Sequence, residues 1–127
     1  MPLDPQARAY LDAVAALGGV DPRTITAPEM RAQMLERRKH FAVEPQPISR
    51  IENRVVSSPD GDIPVRIYTP DAIGPLPVLV YYHGGGWVIG SIETHDNICR
   101  ALANLTPCVV VSVDGANDRR ELRMRGL

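Results

Sequence analysis

Pro77-Val78-Leu79-Val80-Tyr81-Tyr82-His83-Gly84-Gly85-Gly86-Trp87 runs from an unbroken apolar stretch straight into three consecutive glycines. A strand that alternates apolar and polar residues has one wet face. A strand that does not alternate fits burial on both faces, which is the habit of parallel sheets. A second such run, Cys108-Val109-Val110-Val111-Ser112-Val113, follows downstream. Between the two lies a helical pattern: Ile98, Leu102 and Leu105 share one stripe, and Thr94 or Asp96 can cap the start. Strand, helix, strand at this spacing is a βαβ unit, so the sequence predicts an α/β fold with a parallel pair of strands.

The glycines give that unit a chemistry. Three in a row let the backbone take angles that other residues resist, and no side chain blocks an approaching ligand. Peptide N–H groups in such a loop can converge on one point and stabilise a negative oxygen there. Acyl transfer needs this, because its carbonyl oxygen becomes an oxyanion in the transition state. A bare triple glycine would read as a flexible turn. Here a strand precedes it, His83 and Trp87 flank it, and Gly90 and a helix follow. A phosphate cradle does not fit, since neither GxxxxGK[ST] nor GxGxxG is present.

Upstream the pattern has other periods. Residues 51–57 read as a strand, and Ser58-Pro59-Asp60-Gly61-Asp62 as a turn with Gly61 at positive φ. Ile63, Val65 and Ile67 alternate with Pro64, Arg66 and Tyr68, a half-buried strand. The two form an antiparallel hairpin, with Pro64 near a strand start or on an edge. Residues 5–17 read as an amphipathic helix with Tyr10, Leu11, Val14 and Leu17 on one stripe, stopped by Gly18-Gly19. A second helix starts near Thr26, where Thr26-Ala27-Pro28-Glu29 fits a capping box. Met30, Met34, Leu35 and Phe41 supply its apolar side, and Pro45 and Pro47 end it. These helices read either as ordinary core packing or as a lid over a pocket.

Composition narrows the class. The 127 residues are 44% apolar and 23% charged, a globular balance long enough for one domain. The net charge of −1 and pI of about 6.3 favour neither nucleic acid nor an anionic membrane as partner. No basic run followed by an apolar stretch opens the chain, and no apolar run approaches the roughly 20 residues of a bilayer span. Cys99 and Cys108 form no CxxC pair and read as two reduced thiols of a cytoplasmic protein. A metal centre of His83, His95 and Cys99 would need a fourth ligand and matching geometry. Local hydrogen bonding of His95 at the helix start is the simpler reading, so no metal and no cofactor are expected.

The stretch from Val78 to Asp96, with His83-Gly84-Gly85-Gly86-Trp87, then Gly90, then Thr94-His95-Asp96 and a helix, resembles the hormone-sensitive-lipase-like (bacterial family IV) esterases. The resemblance extends over most of residues 1–114. It implies the N-terminal part of an α/β-hydrolase sheet, an antiparallel hairpin leading into parallel strands. Residues 1–45 would be a helical cap segment, residues 46–114 a partial core, and residues 115–127 a disordered tail foreign to the family. The resemblance also implies roles. Gly85 and Gly86 would donate N–H groups to the oxyanion, with Gly84 shaping the approach. His83 would brace the loop and Trp87 pack behind it. A small, short-chain acyl ester would be the substrate.

The family pattern breaks after Asp114. Gly115 stands where a tyrosine is expected, and Ser49, Ser57, Ser58, Ser91 and Ser112 all lie outside any GxSxG nucleophile elbow. The expectation is therefore an N-terminal piece of a carboxylic-ester hydrolase, without nucleophile, acid or base. A triad-less hydrolase keeps about 10³–10⁴ over water only while its pocket is intact, so turnover by these residues alone is expected to be near zero. The competing readings are a non-catalytic binding module and one half of a split hydrolase completed by another chain. Strand 108–113 is expected to present an open apolar edge through which chains associate.

Overall fold

The computed structural model describes residues 2–18, 21, 23–40, 43–59, 61–86 and 88–114. Trp87, Phe41 and the 115–127 segment lie outside the described residues. Two helices, α1 (Pro5–Ala16) and α2 (Ala27–His40), precede strands β1 (Arg50–Val56), β2 (Ile63–Thr69) and β3 (Val78–Tyr82). A short 3₁₀ turn, Glu93–His95, leads into α3 (Asp96–Leu105), and β4 (Val109–Val113) follows.

The four strands form one sheet in the order β1-β2-β4-β3. β1 and β2 are the expected antiparallel hairpin, closed by the Gly61 N–H on the Ser58 carbonyl, with Gly61 at φ 112°. β3 and β4 are the expected parallel pair, with Val80 opposite Val111. The order itself corrects one expectation. β4 lies inside the sheet, antiparallel to β2 on one side and parallel to β3 on the other. The crossover through α3 returns the chain to the inner side of β3, so the open edge belongs to β3. Burial on both faces is also not observed for β3: Val78, Val80 and Tyr82 are 64%, 50% and 73% exposed. Only Leu79 and Tyr81, on the α3 side, pack against the core.

That core lies between α3 and the sheet and contains Tyr68, Cys99, Ala103, Cys108 and Val110, with Ile48, Ile51 and Leu102 packed around it. The buried stripe of α3 is therefore Cys99 and Ala103, with Ile98 and Leu105 exposed. Small side chains at i and i+4 let the helix axis come close to the strands, where Tyr68 fills the remaining volume. Both cysteines are free and buried.

Neither α1 nor α2 contains a buried residue, so core packing is not what holds them. Polar contacts do. Asp4 caps α1 by accepting from Gln6 and Ala7 N–H groups. At α2 the capping box forms, with Glu29 accepting from the Thr26 N–H at 2.7 Å and from its hydroxyl at 2.8 Å. Arg37 donates to the Gly18 carbonyl and ties α2 to the end of α1. The following segment is strapped to α3 by Asn97 on the Val43 carbonyl, Arg100 on the Gln46 carbonyl and Asn104 on the Pro47 carbonyl. No described helix is long and apolar enough to cross a membrane.

Candidate active site

His83, Gly84, Gly85 and Gly86 leave the C-terminal end of β3, and Asp114 leaves that of β4 beside it. This is the end of a parallel pair where open α/β sheets bind ligands. Gly85 has φ 135°, and a Cβ there would sit 1.9 Å from the Ile89 carbonyl oxygen. Gly90 has φ 96°, and a Cβ there would meet the Gly84 carbonyl oxygen and the His83 ring, each at 2.6 Å. No other residue fits either place without moving backbone.

Two carbonyls of the loop are engaged by its own residues. The Gly84 carbonyl accepts from His83 Nδ1 at 2.9 Å. A carbonyl cannot donate, so Nδ1 carries the proton. The Gly85 carbonyl accepts from both the Val88 and Ile89 N–H groups, at 3.1 and 3.0 Å. No peptide bond here is cis, and in a planar trans peptide the C=O and the following N–H point in opposite directions. With the Gly84 and Gly85 carbonyls so engaged, the Gly85 and Gly86 N–H groups point away from those partners. Neither donates to an acceptor among the described residues. Gly84 and Gly86 are exposed and Gly85 half-buried.

Beneath the loop lie two imidazoles. His83, its side chain nearly buried, stacks on His95 with ring centroids 5.2 Å apart. Its Nε2 lies 3.7 Å from an Asp114 carboxylate oxygen. His95 is held locally, as expected: Nδ1 lies 2.9 Å from the Thr94 hydroxyl and 3.2 Å from the Ser91 carbonyl. Burial pushes the His95 pKa down. The Ser91 carbonyl opposes this, and the neighbouring His83 and Arg38 lower it further.

Thr94 and Asp96 do not cap α3 in the expected way. The cap position is His95, with no side-chain bond to the helix. Thr94 instead pairs reciprocally with Ser91: the Ser91 N–H donates to Thr94 Oγ1, and the Thr94 N–H donates to Ser91 Oγ. Asp96 accepts from Tyr68 Oη at 2.9 Å, Arg100 Nε at 2.7 Å and Arg66 Nη1 at 3.4 Å. Burial alone would raise the Asp96 pKa. The bonds from Arg100 and Tyr68, with the charges of Arg100 and Arg66, outweigh burial and hold it below the usual carboxylate value. This network bolts the start of α3 onto β2 and so sets where the glycine loop must re-enter the fold. Among the described residues no three His, Cys, Asp or Glu side chains converge as metal ligands, and Cys99 lies in the core.

Two features of the site were missed from sequence. Gly90 stood out only as part of a pattern, whereas it is the surface on which His83 and Gly84 rest. Arg31 of α2 donates through Nε to the Val88 carbonyl at 2.7 Å, a contact across 57 residues that no local signal announces.

Comparison with known proteins agrees with this fold. Residues 79–115 match a family described by the alpha/beta hydrolase fold. An arylesterase of Saccharolobus solfataricus is 34% identical over 114 residues, 90% of this chain and 37% of its own. A carboxylesterase of Mycobacterium tuberculosis is 41% identical over 117 residues, 88% of this chain and 34% of its own. Among solved structures, a hyperthermophilic esterase from the archaeon Pyrobaculum calidifontis superposes with a TM-score of 0.81 at 42% identity. That match covers 90% of this chain and 36% of the other. The chain thus spans little more than a third of the length of these relatives. Over most of its own length it is similar to the hormone-sensitive-lipase-like esterases, and the part of their structure that it carries has the α/β-hydrolase fold.

Proposed function

We propose that residues 83–90 are the oxyanion-stabilising loop of a serine-type carboxylic-ester hydrolase. Gly85 and Gly86 supply the two N–H donors and Gly84 leaves the approach clear. His83 braces the loop from below. One observation supports this reading: the Gly84 and Gly85 carbonyls are both engaged within the loop, and their peptide partners, the Gly85 and Gly86 N–H groups, point the opposite way with no acceptor among the described residues. Donors fixed before the reaction need no reorganisation when charge develops on the substrate oxygen. Small acyl esters are the proposed substrates, in line with the arylesterase and acetyl esterase names of relatives. The two free thiols support a cytoplasmic setting.

These 127 residues contain no GxSxG, so on this reading the nucleophile, acid and base come from residues outside them. Residues 1–45 act as a cap segment over the site, and residues 46–114 as part of the core. The exposed edge and face of β3 support a partner role for further strands, whether from the same polypeptide or from another chain.

A chimera tests the reading. Residues 1–114 replace the matching stretch of the Saccharolobus solfataricus arylesterase, and hydrolysis of p-nitrophenyl acetate is followed. Replacing Gly86 by proline removes one donor and, since proline cannot take the φ of 60° found there, also shifts the loop, so kcat is expected to fall by at least about 10²–10³. The unaided 127-residue chain is expected to show no turnover above its own Gly86→Pro control. A chimera that hydrolyses the ester equally well with Gly85 and Gly86 both replaced by proline would sink the proposal.

A further inference from the structure

The peptide group between Val88 and Ile89 is gripped at both ends. Its carbonyl accepts from Arg31 Nε at 2.7 Å, and its N–H donates to the Gly85 carbonyl at 3.0 Å. The Gly85 carbonyl belongs in turn to the peptide whose N–H is that of Gly86. A guanidinium on α2 is thus connected to that loop N–H through two peptide groups in series. A cation on a peptide carbonyl draws electron density toward itself and makes the N–H of that peptide a better donor. Serial hydrogen bonds polarise one another by about 10–30% per bond. The arrangement also has a mechanical consequence. Arg31 sits on a helix that buries no residue in the core, so α2 can shift without unfolding the sheet.

We propose that Arg31 is a positioning residue that orients and polarises the Gly86 N–H through the Val88–Ile89 and Gly85–Gly86 peptides, and so couples the seating of α2 to the donor strength of the loop. The coupling rests on the oxyanion-loop reading above for its catalytic meaning, but its geometry is independent of catalysis. Arg31 forms a charge-assisted bond with a carbonyl that is itself part of a closed turn. When α2 is seated, the turn is held and the Gly86 N–H is at its strongest. When α2 lifts away, the Val88 carbonyl loses its cation and the Ile89 N–H weakens, which leaves the Gly85–Gly86 peptide held chiefly by the Val88 N–H at 3.1 Å.

The test is amide exchange and ¹⁵N–¹H spectroscopy on the full chain, comparing Arg31→Ala, Arg31→Gln and Arg31→Lys with the parent. In Arg31→Ala the Ile89 amide is expected to exchange roughly tenfold faster, with the Gly86 amide proton moving upfield. Amides of β2 and β4 should be unchanged. Arg31→Gln keeps a donor without the charge and should restore protection at Ile89 more than it restores the Gly86 shift. Arg31→Lys should restore part of both. Unchanged Ile89 exchange and Gly86 shift in both Arg31→Ala and Arg31→Gln overturns the proposal. Equal loss of protection across the whole sheet in those two variants overturns it as well, because Arg31 would then be a stabilising residue only. In the chimera, Arg31→Ala should lower kcat about tenfold with KM little changed. A chimera that needs the Gly86 N–H, in a protein whose loop ignores Arg31, removes the coupling and leaves the oxyanion reading standing. A loop that responds to Arg31, in a chimera indifferent to Gly86, does the reverse.

Discussion

Beneath α3 the sheet presents Tyr68, Val110 and Ser112, all fully buried, and the carboxylate of Asp96 satisfied by three donors. On the opposite face Val78, Val80 and Tyr82 stand half or more exposed, on a strand whose outer edge pairs with no described strand. Both sets are largely apolar, the first from β2 and β4 and the second from β3. What differs is whether something covers them. On the covered side small residues of α3 approach closely and a polar network fixes the angle of approach. On the other side the β3 side chains stand largely exposed, although Val65, further across that face on β2, is buried. An apolar pattern thus says that a face is meant to be covered, and only the tertiary structure says by what.

The largest expected effect lies on the covered side. Asp96→Ala removes the acceptor shared by Tyr68, Arg100 and Arg66; Arg66 keeps Asn53 and Glu93, Arg100 keeps the Gln46 carbonyl, and the part-buried Tyr68 hydroxyl loses its carboxylate partner. The loss should fall at the lower end of the about 3–5 kcal/mol seen when one partner of a buried pair is removed, since the Asp96 side chain is 13% exposed. Urea unfolding of the purified chain measures it. An exposed pair such as Arg54–Glu52 provides the contrast, with Arg54→Ala expected to leave the unfolding midpoint nearly unchanged. Equal effects at the two sites would mean that the Asp96 network holds nothing together.

Much of this architecture was legible in the sequence, because local rules govern it. The period of two at Ile63, Val65 and Ile67 located β2, the Thr26–Glu29 box located the start of α2, and the glycines marked a backbone that other residues cannot adopt. What was not legible depends on distance along the chain. No local pattern says that β4 returns to the inner side of β3, so the open edge was assigned to the wrong strand. The α3 stripe was read from its largest side chains, whereas close approach to the sheet selects the small ones, Cys99 and Ala103. Asp96 at a helix start reads as a cap until Tyr68 and Arg66, some thirty residues earlier in sequence, are brought against it. Arg31 lies beside the apolar positions of α2, and nothing local signals that it reaches Val88.

A smaller effect is expected from His95, which sits between the covered face and the glycine loop. Burial, His83 and Arg38 hold its folded pKa below the ordinary 6.5, so the folded protein favours the neutral ring. A group with a depressed folded pKa contributes stability that is fully present above its unfolded value and is lost as pH falls through the folded one. Melting temperature should therefore decline as pH drops below 6.5. His95→Gln, which retains a donor for the Ser91 carbonyl but cannot titrate, should flatten that part of the profile. Identical profiles for parent and variant would remove His95 from the acid sensitivity.

The smallest expected effect on stability is on the open face, and it tests the comparison from its other side. Val80 lies at the middle of β3 opposite Val111 and is 50% exposed. Val80→Lys keeps the backbone pairing with β4 intact and places a charge that reaches water from where the valine already stood. Substitutions at such sites usually change stability by no more than about 0.5 kcal/mol. Association is another matter. An edge strand with exposed valines offers another chain both unpaired backbone groups and an apolar strip, and a lysine there disfavours both. Sedimentation of the parent chain should show concentration-dependent association that Val80→Lys reduces, at nearly unchanged unfolding free energy. A destabilisation as large as that of Asp96→Ala would mean that this face is covered after all, and the contrast between the two sides of the sheet would collapse.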